Sequence, residues 1–294
     1  MSNQDIHNAA QNGDISRLTT LINNRASLDV RGQDSCTSLH FAAENGHSGA
    51  VQVLVDAKAS LDVQDSNGDT PMHCAAYKGH SGVVQVLVDS KASLDVQSSD
   101  GDTLMHCAAK NGHSSVVQVL VASKASLDVQ DSSGDTPIHW AAYKGHSGAV
   151  QVLVDSKASL DVQDSIGYTP MHCAADNGHS DAVQVLVDAK ASLDVQDNNG
   201  YTPMHCAADN SHSGAVQVLV ASKASLDVQN SNGDTPMHCA ADNGHSGVVQ
   251  VLVASKASLD MQNSNGDTPM HRAAYKGHGD AVQVLVDAKA SLDV

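Results

Sequence analysis

Residues 68–100 read GDTPMHCAAYKGHSGVVQVLVDSKASLDVQSSD, and this stretch decides the fold. Thr70 suits a helix N-cap, and Pro71 suits the first helical position, where a missing N–H costs no intrahelical bond. The spacing predicts a first helix from Pro71 to about Lys78, ended by Gly79 as a left-handed C-cap. Ser81 is placed to cap a second helix carrying Val83, Val84, Val86, Leu87 and Val88. Those apolar residues cover more than one face, so this helix needs neighbours on both sides. From Leu94 to Gly101 the chain is rich in Asp and Ser and reads as an extended segment entering a turn.

The unit recurs along the chain. His7, His40, His73, His106, His139, His172, His205, His238 and His271 stand 33 residues apart without an insertion. His47, His80, His113, His146, His179, His212, His245 and His278 form a second series, so all 17 histidines are repeat positions. Nine such units fill the 294 residues. A fixed period of this length signals a stack in which no unit buries its apolar face alone, and it overrides the one to three globular domains that length would suggest. Aromatic residues are only 2%, so the core must be built from small aliphatic side chains.

Thr70-Pro71-Met72-His73-Cys74-Ala75-Ala76 with Gly79-His80 resembles the ankyrin repeat, and the resemblance spans all nine units. It implies an all-α solenoid of stacked helix-turn-helix units with projecting β-turn loops. It also implies a single domain over residues 1–294. Within it, 1–33 is an N-terminal capping repeat, 34–264 are seven internal repeats and 265–294 are a ninth, uncapped repeat. The first repeat carries Asn8, Gln11, Arg17, Thr19 and Thr20 where later units are more apolar. The ninth keeps Val282, Val284, Leu285 and Val286 and runs to Val294, so its last helix is expected to fray, pair with another chain or continue into further sequence.

The chain departs from the family pattern at three places. Lys58, Lys91, Lys124, Lys157, Lys190, Lys223, Lys256 and Lys289, with Arg25 in the first repeat, stand where the family ends helix two with Gly. A left-handed backbone there costs on the order of 1 kcal/mol per side chain, unless the helix end is rearranged. Asp62, Asp95 and Asp128 replace the family's Asn, and Ser211 replaces the inter-helix Gly.

A net charge of −17 argues against nucleic acid, whose binding needs clustered Lys and Arg. A protein partner with a basic or neutral surface is expected instead. No run of apolar residues is long enough for membrane insertion, and the start MSNQDIHNAA lacks the regions of a secretory signal. Five of the six cysteines, Cys74, Cys107, Cys173, Cys206 and Cys239, share one repeat position. Successive copies in a helical stack lie about 10 Å apart, too far for disulfides, so free thiols and a cytoplasmic or otherwise intracellular location are expected. A monomer is expected, with end-to-end association through the C-terminal repeat as the alternative.

The histidines, cysteines and aspartates form no metal or catalytic constellation, and no cofactor is implied. His73 and Cys74 are adjacent on a helix and diverge by about 100°, and no CxxC pair exists. By the resemblance, the first His series fixes the Thr-Pro-x-His turn and the second braces the loop. Asp65-Ser66-Asn67-Gly68-Asp69 lacks the first and last carboxylates of a calcium loop. The Asp rows read as a solvated face, since charges ~10 Å apart in water repel by only ~0.4 kcal/mol. A set repeated nine times is scaffold rather than nine active sites, so the chain is read as not an enzyme.

Function is sought where the repeats differ. The residue after the signature His includes Phe41, Trp140 and Arg272, and three positions on stand Tyr77, Tyr143, Asp176, Asp209, Asp242 and Tyr275. Next to these come Lys78, Lys144 and Lys276, while Tyr168 and Tyr201 replace an Asp at the turn. On the ankyrin resemblance these positions line the groove and turn tips that contact proteins. Trp140, Tyr143 and Lys144 form its aromatic and basic centre, and such residue types anchor interfaces. The implied function is a non-catalytic protein-interaction scaffold. The alternatives are a structural spacer or elastic linker, or an engineered or recently duplicated array without an evolved partner.

Overall fold

The computed structural model describes residues 3–291, and the expected domain ends at Met1 and Val294 lie outside them. Among the described residues the chain is all-α, with eighteen α-helices, no strand and one short 3₁₀ turn at Gln33–Ser35. Its contacts gather into two units, Met1–Pro137 with Asp155–Ala158, and Ile138–Val154 with Ser159–Val294.

The first unit contains the helix pairs α1 (Asn3–Gln11) and α2 (Ile15–Asn23), α3 (Ser38–Glu44) and α4 (Ser48–Asp56), α5 (Pro71–Lys78) and α6 (Ser81–Asp89), and α7 (Leu104–Lys110) and α8 (Ser114–Ala122). First helices pack on first helices in the order α1, α3, α5, α7, and second helices likewise in the order α2, α4, α6, α8. The pair α9 (Pro137–Tyr143) and α10 (Ser147–Asp155) follows. In the second unit come α11 (Pro170–Asp176) and α12 (Ser180–Asp188), α13 (Pro203–Asp209) and α14 (Ser213–Ala221), α15 (Pro236–Asp242) and α16 (Ser246–Ala254), and α17 (Pro269–Lys276) and α18 (Gly279–Asp287). The same two-row packing runs from α11 to α17 and from α12 to α18. Within each unit, consecutive helix pairs thus pack as in an ankyrin-repeat solenoid.

Each pair is built as the quoted stretch predicts, with one correction. Thr70 is the N-cap, Pro71 opens α5, and Gly79 closes it at φ 81°. His80, not Ser81, caps α6, because its carbonyl already accepts the first helical bonds, from Val83 and Val84 N–H, while its own backbone stays non-helical. The core is aliphatic and small. In the pair α11–α12 it consists of Met171, Ala174, Ala175, Ala182, Val183 and Leu186, all fully buried. Alanines on the first helix let neighbouring helices approach, and the Val and Leu of the second fill the remaining space at interior density.

The lysines that replace Gly after helix two do sit in the left-handed region, from Lys124 at φ 65° to Lys157 at φ 70°, and Ser211 does so at φ 64°. The stack holds these strained residues rather than rearranging the helix end. The Asp row is not merely a solvated face. Asp29, Asp161 and Asp194 each accept from both the N–H and the hydroxyl of a serine 31 residues on, Ser60, Ser192 and Ser225, at 2.6–2.9 Å. Asp62 accepts from Ser93 N–H in the same way. Within each unit these bonds tie one repeat to the next, a role that a lone sequence unit hides.

Candidate binding face of the first helices and turns

The first histidine series sets the framework of this face. At His172, Nδ1 accepts from Thr169 N–H at 3.1 Å, with the Thr169 hydroxyl 2.9 Å away. Nε2–H therefore carries the proton and donates to the Tyr201 carbonyl, 3.0 Å away in the following repeat. The same bond runs from His106 to Asp135, from His139 to Tyr168 and from His205 to Asp234. These rings are buried and neutral, and burial lowers the His205 pKa to about 4. The expected link to Thr is present, and the bond onward to the next turn adds to it.

The second series carries its bracing from one repeat to the one before. His80 donates from Nε2 to the Glu44 carbonyl, His113 to Tyr77 and His212 to Asp176, each at 3.0 Å and 36 residues back. The turns and first helices are thereby held in fixed register.

On this frame the variable side chains form several groups. Phe41 is half-buried with its ring 5.2 Å from that of His7. Tyr77 is 53% exposed, with Lys78 over its ring and reaching Glu44 at 3.7 Å. Trp140 meets Tyr143 edge-to-face at 5.9 Å, Tyr143 is 43% exposed, and Lys144 Nζ lies 5.0 Å from the Tyr143 ring centre. Tyr168 stacks on His172 at 5.2 Å, and Tyr201 leans on His205 at 5.4 Å. The Cys206 thiol, raised to about 12 by burial, donates to the Tyr168 hydroxyl at 3.6 Å. Half-buried Asp176 and Asp209 accept from Asn210 and Asn243 at 2.9 and 2.8 Å. Asp242 instead takes the Arg272 guanidinium at 2.8 Å, with Lys276 at 3.9 Å, and Tyr275 is 84% exposed.

A family model described as ankyrin repeats (three copies) matches residues 6–98, 90–164, 149–230 and 212–294. The chain belongs to the ankyrin-repeat family. Ankyrin repeats are generally protein-interaction modules and typically not enzymes. No curated protein matches the sequence significantly.

The ankyrin frame places one residue on this face that the sequence reading passed over. Ile166 is 54% exposed at the tip of the turn before Tyr168, where other repeats carry Asn67, Asp100, Ser133, Asn199, Asn232 or Asn265. Its signal was an isolated apolar residue inside an Asp/Ser/Asn turn.

In the first unit of the ankyrin array, Asp34, Cys36, Glu44, Asp65, Asp69, Cys74, Tyr77 and Lys78 line a cavity of about 390 Å3. Burial, with Asp65, Asp102 and Asp100 nearby, pushes Asp69 up to about 6. Asp102, His106 and Asp131 bring one donor atom each within 4.8 Å of one another. That trio is a poor metal seat. Lys110 Nζ lies 2.7 Å from both Asp102 oxygens, and His106 uses both ring nitrogens, Nδ1 towards Thr103 and Nε2 towards Asp135. None of the six cysteines forms a disulfide, and no helix among the described residues is long and apolar enough to cross a membrane.

Proposed function

We propose that this ankyrin array is a non-catalytic scaffold that binds a protein partner across its first helices and turn tips, acting as one binding domain. The observation that carries the reading is the Trp140, Tyr143 and Lys144 group. In a chain with only 2% aromatic residues, an edge-to-face Trp–Tyr pair carries a partly exposed ring and a cation above it. Rigid aromatic anchors with a charged neighbour are the side chains that dominate interface energies. Ile166 and Tyr168, one repeat on, extend the apolar surface. The reduced thiols and acidic surface fit an intracellular protein with a basic or neutral partner.

The test is affinity capture with the parent chain and with a variant carrying Trp140→Cys, Tyr143→Asp and Lys144→Asn, the residues of neighbouring repeats. A protein held by the parent and lost by the folded variant supports the reading. Identical capture by both, or none by either, leaves a spacer as the better account.

A further inference from the structure

The chain neutralises its groove carboxylates in some repeats and not in others. Asp242 holds Arg272 and Lys276. Lys276 stands 34 residues after Asp242, and the corresponding residues after Asp176 and Asp209 are Asn210 and Asn243, which donate hydrogen bonds but bring no charge. Burial raises both carboxyls above their ordinary value; His212 and the Asn210 bond offset this in part at Asp176, as the Asn243 bond and His245 do at Asp209, while Asp209 and Asp242 add to it. Each also has a tyrosine fixed nearby in its own repeat: Tyr168 stacks on His172 and Tyr201 leans on His205, and each histidine stands one helical turn before the aspartate on the same helix. The Arg272 guanidinium on Asp242 shows where a cation rests over this position of the repeat. A half-buried carboxylate next to a fixed aromatic ring is what an arginine side chain recognises, by charge-assisted hydrogen bonds and by stacking.

We propose that Tyr168 with Asp176, and Tyr201 with Asp209, are two adjacent seats for the cationic side chains of a partner segment in polyproline II conformation, with arginine or lysine at every third residue. The inference rests on the groove reading above and names the partner's chemistry. Helices α11 and α13 pack against each other, and packed helices lie about 8–10 Å apart. A polyproline II segment returns to the same side every third residue after about 9 Å, which matches one repeat. A β-strand returns to the same side after about 7 or 13 Å and matches less well.

The test titrates the full chain at low salt into fluorescein-labelled Gly-Arg-Pro-Pro-Arg-Gly, Gly-Arg-Pro-Arg-Pro-Gly and Gly-Glu-Pro-Pro-Glu-Gly. The first peptide is expected to bind about fivefold or more tightly than the second, and the third not at all. The double variant Asp176→Asn, Asp209→Asn keeps side-chain shape and is expected to lose about tenfold or more for the first peptide. Asp188→Asn, remote on α12, is expected to change it less than about twofold. Arg272→Cys with Lys276→Asn uncovers Asp242 and is expected to tighten binding of Arg-Pro-Pro-Arg-Pro-Pro-Arg about threefold or more. Equal affinity for both arginine spacings overturns the proposal, as does unchanged affinity in a double variant with parental helix content. Absence of binding by the parent overturns it too. In that case the groove reading still stands if capture depends on Trp140, Tyr143 and Lys144.

Discussion

His179 and Tyr143 are joined across 36 residues: the imidazole Nε2–H donates to the Tyr143 carbonyl at 3.0 Å, while the ring lies against Gly145. A Cβ on Gly145 would fall 2.5 Å from His179 Nδ1, and the residue sits at φ +71°. Gly145→Ala therefore combines backbone strain with displacement of a bonded ring, and a loss of ~2 kcal/mol is expected. Urea unfolding checks this, and an unchanged midpoint would show that the ring moves at no cost. Ser211 occupies the same position at φ 64°, so Ser211→Gly is expected to stabilise by ~1 kcal/mol.

The lysines after helix two give a second stability prediction. Lys190 and Lys223 are held at φ 69° and 67°. Replacing each with Gly removes the left-handed penalty but adds unfolded-state entropy, for an expected gain of ~0.5–1 kcal/mol per site. The double variant is expected to show the sum of the single gains in thermal or urea unfolding, because the sites lie one repeat apart. A loss at either site would show that the lysine side chain contributes more than its backbone strain removes.

Stability is expected to fall on mild acidification. Burial lowers the pKa of His40, His73, His106, His172, His205 and His238 below the ordinary 6.5. Below 6.5 the unfolded chain binds more protons than the folded one, so stability drops with pH by up to ~1.4 kcal/mol per unit for each such histidine. For His205 this window runs down to about 4. Asp69 has the opposite sign. Raised from 3.8 to about 6, it destabilises the fold when ionised and returns that stability as pH falls through this range. Asp176 and Asp209, also raised by burial, share the sign of Asp69, but six histidines outweigh three carboxyls, and the urea midpoint is expected to fall between about pH 7.5 and pH 4.5. Asp69→Asn is expected to raise the midpoint at neutral pH and to make no difference near pH 4. A midpoint that holds or rises on acidification would contradict the neutral, buried histidines.

Much of this was legible in one unit. Thr70, Pro71 and Gly79 mark helix one because capping and left-handed preferences are local. The period supplied the stacking, since a helix with Val83, Val84 and Leu87 on several sides needs neighbours. Bonds between units were not legible. His80 was expected to brace a loop, but its partner, the Glu44 carbonyl of the repeat before, was not readable, and Asp62 looked solvated until Ser93 was placed beside it. Such partners lie about one period away, and which atoms meet depends on the rotation between repeats. Within the candidate face, aromatic and charged exceptions stood out by contrast among copies. That contrast did not reveal that Arg272 is already occupied by Asp242, because an ion pair between repeats leaves no local pattern.

Thiol chemistry gives the last prediction. Cys107, Cys173, Cys206 and Cys239 are buried, and burial also raises the partly exposed Cys36 to about 11. Few thiolates exist near neutral pH, so an aromatic disulfide reagent is expected to modify the native chain slowly and all six cysteines quickly in urea. A thiol that reacts at the unfolded rate in the native chain would mark a repeat that opens locally.

The serine–aspartate bonds carry a consequence for how such a chain changes length. Asp161 meets Ser192 and Asp194 meets Ser225 through the same atoms at the same separation. Cutting out 33 residues between equivalent points rejoins a donor with an acceptor of identical kind, and inserting 33 does the same. Genetic loss or gain of a copy thus leaves no seam, and recombination between near-identical copies can alter the reach of the protein without any compensating substitution.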